Sequence, residues 1–228
     1  MDMGVVRGED GRQRCGWCVG AADYLAYHDD EWGRPVTDDV RLYEKLCLEG
    51  FQSGLSWLTI LRKRDNFRRA FAGFNPEAVA AFDGTDVERL LADAGIVRHR
   101  GKIEATIANA SAAMAARDRH GSLAAVVWSF EPRRRGRRVP ARLDDLVPVT
   151  PESTALSKEL KQLGFRFVGP TTAHAAMESV GLVNDHLSGC HVRAACDADR
   201  RAALIPGRTG PTAIRSPLDR GATTRSPH

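Results

Sequence analysis

Two pairs of potential metal ligands stand near opposite ends of the 228-residue sequence, Cys15 with His28 at the start and His186 with Cys190 at the finish. Two thiolates and two imidazoles match zinc's preference for four soft or borderline donors, and His186-x-x-x-Cys190 puts both side chains one turn apart on one face if that segment is helical. Neither pair says much alone. A lone histidine is more often a hydrogen-bonded residue than a ligand, and Cys15 with Cys18 forms a rival C-x-x-C pair that could bind zinc or do redox work. No strand–helix–strand pattern surrounds that pair to support the redox version. Five cysteines, an odd number without a secretion signal, argue for thiols or ligands in a reducing compartment rather than a disulfide framework.

A second group has the chemistry of base recognition. Trp17, Tyr24, Tyr27, Trp32, Tyr43 and Trp57 fall within the first quarter of the chain. Such clusters are usually core, but flat π faces are also what an extrahelical base stacks on. Glu49, beside Gly50 at the end of an apolar helical segment, is either a solvated cap or a buried acceptor with a function. The stretch Gly95-Ile-Val-Arg-His-Arg-Gly101 could present backbone N–H groups and a helix N-terminus to a phosphate, with Arg98, Arg100 and Lys102 adding charge; its plain alternative is an αα-turn with a basic rim.

Helices must position these groups. Asp38 can cap a helix carrying Leu42, Leu46 and Cys47 and closed by Gly50, and a second amphipathic helix runs from Leu55 to Phe71, ending near Gly73. Asn75-Pro76 starts another, and Thr85-Asp-Val-Glu88 fits a capping box for a helix reaching Gly95. Beyond the tight connection, Ile103, Ile107, Ala110 and Met114 keep helical spacing. Ser153 to Leu163 and Pro170 to Val180 are each stopped by glycine. Strand patterns are scarce, so an all-α fold is expected.

With 43% hydrophobic residues the chain can bury one sizeable core. Residues 1–14 read as a flexible extension, 15–196 as the domain, and 197–228, rich in proline, glycine and arginine, as a disordered basic tail. The net charge of +4 is weak support for nucleic acid, because the tail contributes +3 and the first fourteen residues nothing. The arginine run 133–138 reads as a solvated loop, with a DNA contact as the alternative. No apolar run is long enough to span a bilayer and no signal peptide is visible, so a cytoplasmic, bacterial, membrane-free protein is expected, with a monomer as the default.

Taken in order, Arg14-Cys-Gly-Trp17, Tyr27-His28-Asp-Asp-Glu-Trp-Gly33, Leu48-Glu-Gly50, Gly54-Leu-Ser-Trp57, Ala94-Gly-Ile96 with Arg98-His-Arg-Gly-Lys-Ile103, Trp128-Ser-Phe130, Phe167-Val-Gly169 and Gly181-Leu-Val-Asn-Asp-His186 with Gly189-Cys190 resemble the DNA-3-methyladenine glycosylase I family. The resemblance covers about Cys15 to Cys190. It implies a helix-hairpin-helix DNA glycosylase fold with one structural Zn2+ held by Cys15, His28, His186 and Cys190. It also implies base recognition by Glu49, a hydrogen bond from Tyr27, stacking on Trp57, and further pocket aromatics at Trp17 and Tyr24. Leu55 matches the residue that wedges into the duplex, and Gly95, Arg98, Arg100 and Lys102 match the phosphate-binding hairpin.

The implied substrate is double-stranded alkylated DNA and the product free 3-methyladenine. No lysine has the context of a Schiff-base nucleophile, so simple hydrolysis without strand cleavage is expected. The superfamily's aspartate after the hairpin has no trustworthy match, Glu104 being the nearest carboxylate. Two rival readings remain: a non-catalytic, zinc-stapled helix-hairpin-helix module that only binds DNA, and a zinc-dependent hydrolase acting on small molecules, which needs a water on the metal.

Overall fold

The computed structural model describes residues 4–133 and 137–206. Within them the protein is helical apart from one short antiparallel hairpin, β1 (Val5–Arg7) against β2 (Gln13–Cys15), with Val5 opposite Cys15. Part of the expected N-terminal extension is therefore paired structure that delivers Cys15. The helices are α1 (Ala22–Asp30), α2 (Asp39–Gln52), α3 (Trp57–Ala70), α4 (Pro76–Ala80), α5 (Gly84–Ala92), α6 (Arg100–His120), α7 (Leu123–Trp128), α8 (Pro151–Gln162), α9 (Pro170–Ser179) and α10 (Arg193–Ala202).

Helix α2 is the centre. Every residue from Leu42 to Phe51 is buried, and α3, α6, α7 and α9 all pack on it. A helix covered on all sides must be apolar or pair its polar groups, so its buried Glu44, Lys45 and Glu49 are conspicuous. Asp38 caps it by accepting from the Arg41 amide at 2.9 Å. The neighbouring Asp39 carboxylate accepts from the amides of Leu123 and Ala124 at 2.9 and 2.8 Å, satisfying the open N-terminus of α7 and tying it to α2.

Several boundaries differ from the sequence pattern, each for a local reason. Gly50 does not end α2; it lies inside the helix, where a Cβ would come within 3.2 Å of the Phe167 side chain. The turn is made by Ser53 and Gly54, the latter at φ +81°. Leu55 stands before α3 rather than in it, because Ser56 takes the cap and accepts from the Thr59 amide. The capping box opening α5 uses Asp83 and Asp86, two residues earlier than Thr85 and Glu88, since Asp83 already bonds both the Thr85 and Asp86 amides. His186 and Cys190 lie in an irregular segment, not a helix. Helix α10 carries the folded chain past residue 196, and Arg200 within it is buried against Glu131. The part of the tail from residue 207 onward lies outside the described residues.

Gly181 ends the α9 region at φ +78°, and a Cβ there would come within 2.7 Å of the Arg34 backbone. Gly181→Ala should therefore destabilise the protein by about 2 kcal/mol or more, through strain and overpacking together. Gly84, at the start of α5 with open space around it, is the contrast: Gly84→Ala should stabilise by about 0.5–1 kcal/mol. Urea unfolding of the two variants beside the parent protein measures both.

Candidate active site and metal centre

The two ends of the folded chain meet at Cys15, His28, His186 and Cys190, all buried, with one ligand atom from each within 4.8 Å of the others. Two nitrogens and two sulfurs bound tetrahedrally at zinc-like distances stand about 3.3 Å apart for N···N and about 3.6 Å for N···S. The observed separations are 3.2 Å between His186 Nδ1 and His28 Nε2, 3.4 and 3.5 Å from Cys190 Sγ to these two nitrogens, and 3.9 Å from Cys15 Sγ to His186 Nδ1. The outer ring nitrogens are committed elsewhere, His28 Nδ1 to Asp29 Oδ1 at 2.7 Å and His186 Nε2 to the Trp32 carbonyl at 3.0 Å. That arrangement leaves the inward nitrogen of each ring as a lone pair, as for a metal-bound imidazole. Cys18 is not one of the four; its thiol donates to the Cys15 carbonyl at 3.1 Å. The donor set therefore fits a four-coordinate metal with no open position.

Beside this cluster lies a cavity of about 170 Å³, lined by Trp17, Tyr24, Tyr27, Trp32, Glu49, Gln52, Trp57, Ala175 and Glu178. Helix α1 supplies the tyrosines, the end of α2 supplies Glu49 and Gln52, and the start of α3 supplies Trp57. Trp17 meets Tyr24 edge-on at 5.6 Å and Trp32 at 5.1 Å, while Tyr27 and Trp57 are tilted at 5.2 Å. The Tyr24 hydroxyl accepts the Leu58 amide at 3.0 Å, which fixes that ring against the N-terminus of α3.

Glu49 is 5% exposed, and loss of water pushes its carboxyl up to about 7, partly opposed by Lys45. Lys45, one turn back on α2, is itself pushed down to about 8 by burial. Its ammonium sits 4.8 Å from the Tyr27 ring centroid and 5.9 Å from that of Trp57, with the Glu31 carboxylate 3.9 Å away, so ring faces and one ion pair take the place of water. The arrangement is an aromatic slot with two poorly solvated carboxylates, Glu49 from α2 and Glu178 from α9, suited to a flat, positively charged heterocycle.

The family model described as methyladenine glycosylase matches residues 17–194. The chain belongs to the methyladenine glycosylase family. DNA-3-methyladenine glycosylase 1 of Escherichia coli (strain K12) is 48% identical over 178 residues, covering 78% of this chain and 95% of that protein. DNA-3-methyladenine glycosylase of Haemophilus influenzae is 42% identical over 177 residues, with 78% and 96% covered. Among solved structures, a crystal structure of 3-methyladenine DNA glycosylase I superposes with a TM-score of 0.74 at 49% identity, covering 78% of this chain and 98% of that one. A Staphylococcus aureus structure described as the basis of 3-methyladenine recognition gives 0.73 at 37% identity, with 79% and 96% covered.

The family resemblance and the structure agree in bringing Trp17, Tyr24, Tyr27, Glu49 and Trp57 to one cavity. Leu55 stands 44% exposed in the turn between Gln52 and Trp57. The hairpin differs in part. Arg98 and Arg100 are exposed, Arg100 paired with Glu88 at 2.7 Å, but the Gly95 amide is already bonded to Asp93 Oδ1 at 2.7 Å. Lys102 is buried and is corrected from a phosphate contact to an internal brace: its ammonium donates to the carbonyls of Phe51 and Ser53, at 2.9 and 2.5 Å, at the end of α2.

Sequence reasoning missed four lining residues. Gln52 was findable, because it stands three places after Glu49 on one helix and so shares its face. Trp32 stood in the aromatic cluster without a role, and Ala175 and Glu178 arrive from α9, which only the tertiary fold reveals. A larger cleft of about 220 Å³, lined by Arg137, Arg138, Arg193 and Arg200 among others, lies away from these groups; Arg137 and Arg200 there already pair with Asp185 and Glu131. Residues 134–136 of the arginine run lie outside the described residues.

Lys102→Met should lower stability by about 1–3 kcal/mol, because two carbonyls at the end of α2 lose a charged donor. Arg98→Ala, at an exposed position, should shift stability by less than about 0.5 kcal/mol. Thermal or urea unfolding of both distinguishes the brace from the surface charge.

Proposed function

We propose that the chain is a monofunctional base-excision glycosylase that hydrolyses the N-glycosidic bond of 3-methyladenine in alkylated double-stranded DNA, releasing the free base and leaving an abasic site. The observation that carries this reading is Glu49, a carboxylate 5% exposed in an aromatic-walled cavity. The names of the relatives support it, and so does the structural likeness to a protein described as recognising 3-methyladenine.

A base inside a duplex must be extruded before its glycosidic bond can be reached, and the lost stacking must be replaced. Trp57, Tyr27 and Trp17, all lining the cavity, supply ring faces, while Leu55 fills the gap left in the duplex. The exposed Arg98 and Arg100 meet backbone phosphate, and Lys102 holds the end of α2 from inside.

Methylation at N3 makes adenine cationic and already a good leaving group. Ionised Glu49, in a site with little water, favours that cation over neutral adenine and accepts an N–H of the base. Uniform binding of substrate and transition state would not speed cleavage, so catalysis needs the Glu49 contact to strengthen as the bond breaks. A hydrogen bond to a charged group is worth about 1.5–3 kcal/mol, which makes Glu49→Gln cost about 10–100-fold in base release.

The Cys15, His28, His186 and Cys190 group holds one structural Zn2+; when bound, the ion supplies a cross-link rather than a reaction centre, because all four positions come from the protein. Lys45 packs on the Tyr27 ring face and is not among the residues that line the cavity.

Release of 3-methyladenine from methylated duplex DNA by the parent protein, lost or strongly reduced in Glu49→Gln, tests the assignment; binding without release would instead establish a DNA-binding module. Trapping of an enzyme–DNA adduct with borohydride would contradict simple hydrolysis.

Because the ionised form of Glu49 is the competent one and burial raises its pKa, kcat/KM should fall as pH drops through about 7, and that limb should vanish in Glu49→Gln. Stability should carry the opposite sign. Between the unfolded carboxyl's range and about 7 the folded state binds the extra proton, so stability falls as pH rises across that window, less so in the variant.

Cys190→Ser should lose the tightly held zinc and lower Tm markedly, read by metal analysis and thermal melts.

A further inference from the structure

Besides the Cys–His cluster, and joined to it through the neighbours Asp185 and His186, a second set of ligating side chains closes on itself. His174 and Glu178 stand one turn apart on α9, and Asp185 reaches them from the following segment; one ligand atom from each lies within 4.8 Å of the others. His174 is 2% exposed, and neither ring nitrogen has a hydrogen-bond partner among the described residues. A neutral imidazole carries one N–H and one lone pair, and burying either unpaired is unfavourable. Burial also lowers the affinity of this ring for a second proton, which leaves a lone pair on offer.

Asp185 turns Oδ1 to Arg137 at 2.7 Å and leaves Oδ2 facing His174 Nε2 at 3.8 Å. That distance is too long for a hydrogen bond. It is close to the separation of about 3.4 Å between two ligands held some 2.1 Å from one ion at a tetrahedral angle. Glu178 brings a second carboxylate to the same spot, and burial together with Asp185 pushes its carboxyl well above the usual range. Two carboxylates are thus gathered around an unpaired imidazole, with Arg137 bonded to only one of them.

We propose that His174, Glu178 and Asp185 form a second divalent-cation site, selective for a transition ion that accepts mixed nitrogen and oxygen donors, such as zinc or manganese. Small side-chain rotations bring the three donors to bonding distance, and Arg137 keeps the remaining oxygen of Asp185. Three protein ligands leave a coordination position open, unlike the cluster of Cys15, His28, His186 and Cys190. Glu178 lines the aromatic cavity and also a neighbouring one of about 270 Å³ walled by Leu146, Val147 and Thr171, so the ion lies in the partition between them. Its charge neutralises Glu178 and leaves Glu49 as the uncompensated carboxylate facing the base.

The test is a zinc count on the full-length protein, dialysed against ZnCl2 and then against metal-free buffer, beside His174→Gln and Glu178→Gln. The parent protein should retain one equivalent more than either variant. In cobalt-loaded samples the thiolate-to-cobalt absorption should be unchanged by both substitutions, which shows that the lost equivalent does not come from the cysteine site. Equal counts in parent and variants overturn the proposal and leave a shared proton between the carboxylates, with ordered water at His174. If His174→Gln does not fold, the half-buried Glu178→Gln decides alone.

Discussion

His28 and His186 meet edge-on with ring centroids 4.7 Å apart, and each is also packed against an aromatic ring that lines the base cavity. Trp17 lies 5.4 Å from His28, and Trp32 lies 4.6 Å from His186. Whatever holds the two imidazoles therefore also holds two walls of the cavity. Cys15 and His186 are 171 residues apart, so the contact joins the beginning of the domain to its end. Closing so long a loop costs conformational entropy that a few van der Waals contacts would offset poorly, and a four-coordinate metal offsets it well. The carboxylate of Asp29, held by His28 and by Arg14, extends this arrangement to the surface hairpin.

The second constraint is the charge buried along α2. Glu49 and Lys45 share one helix and one desolvated region, yet the ammonium rests against the Tyr27 and Trp57 rings. Burying ionisable groups with incomplete compensation opposes folding, so their presence is a mark of use. On the proposed function, a cationic base entering the slot would restore a partner for the carboxylate. Pocket and helix core are therefore coupled: the packing that fixes α2 also keeps water from Glu49.

The surface that would face DNA is built from turns anchored by buried contacts. Gly54 allows the tight exit from α2 that leaves Leu55 outward, and the ammonium of Lys102 holds the carbonyls just before that exit. Lys102 also opens α6, behind the exposed Arg98 and Arg100. One buried lysine thus links the turn carrying the exposed Leu55 to the hairpin carrying the surface charges.

Helix content, the caps at Asp38 and Asn75, and the aromatic and Cys–His sets were legible in the sequence, because caps act over three or four residues and resemblance reads residue types in order. Resemblance also carried Glu49 and Trp57 to one pocket. Periodicity alone could not say whether the aromatic cluster was core or cavity, since both are apolar. Some assignments depended on distant contacts. Gly50 stays inside α2 because Phe167 crowds it, Lys102 points inward because the carbonyls of Phe51 and Ser53 end there, and Glu178 reaches the cavity from another helix. Local chemistry determined which segments became helices and which side chains could react. Long-range packing decided which of those side chains lost their water, and desolvation is what turns an ordinary glutamate or histidine into a site.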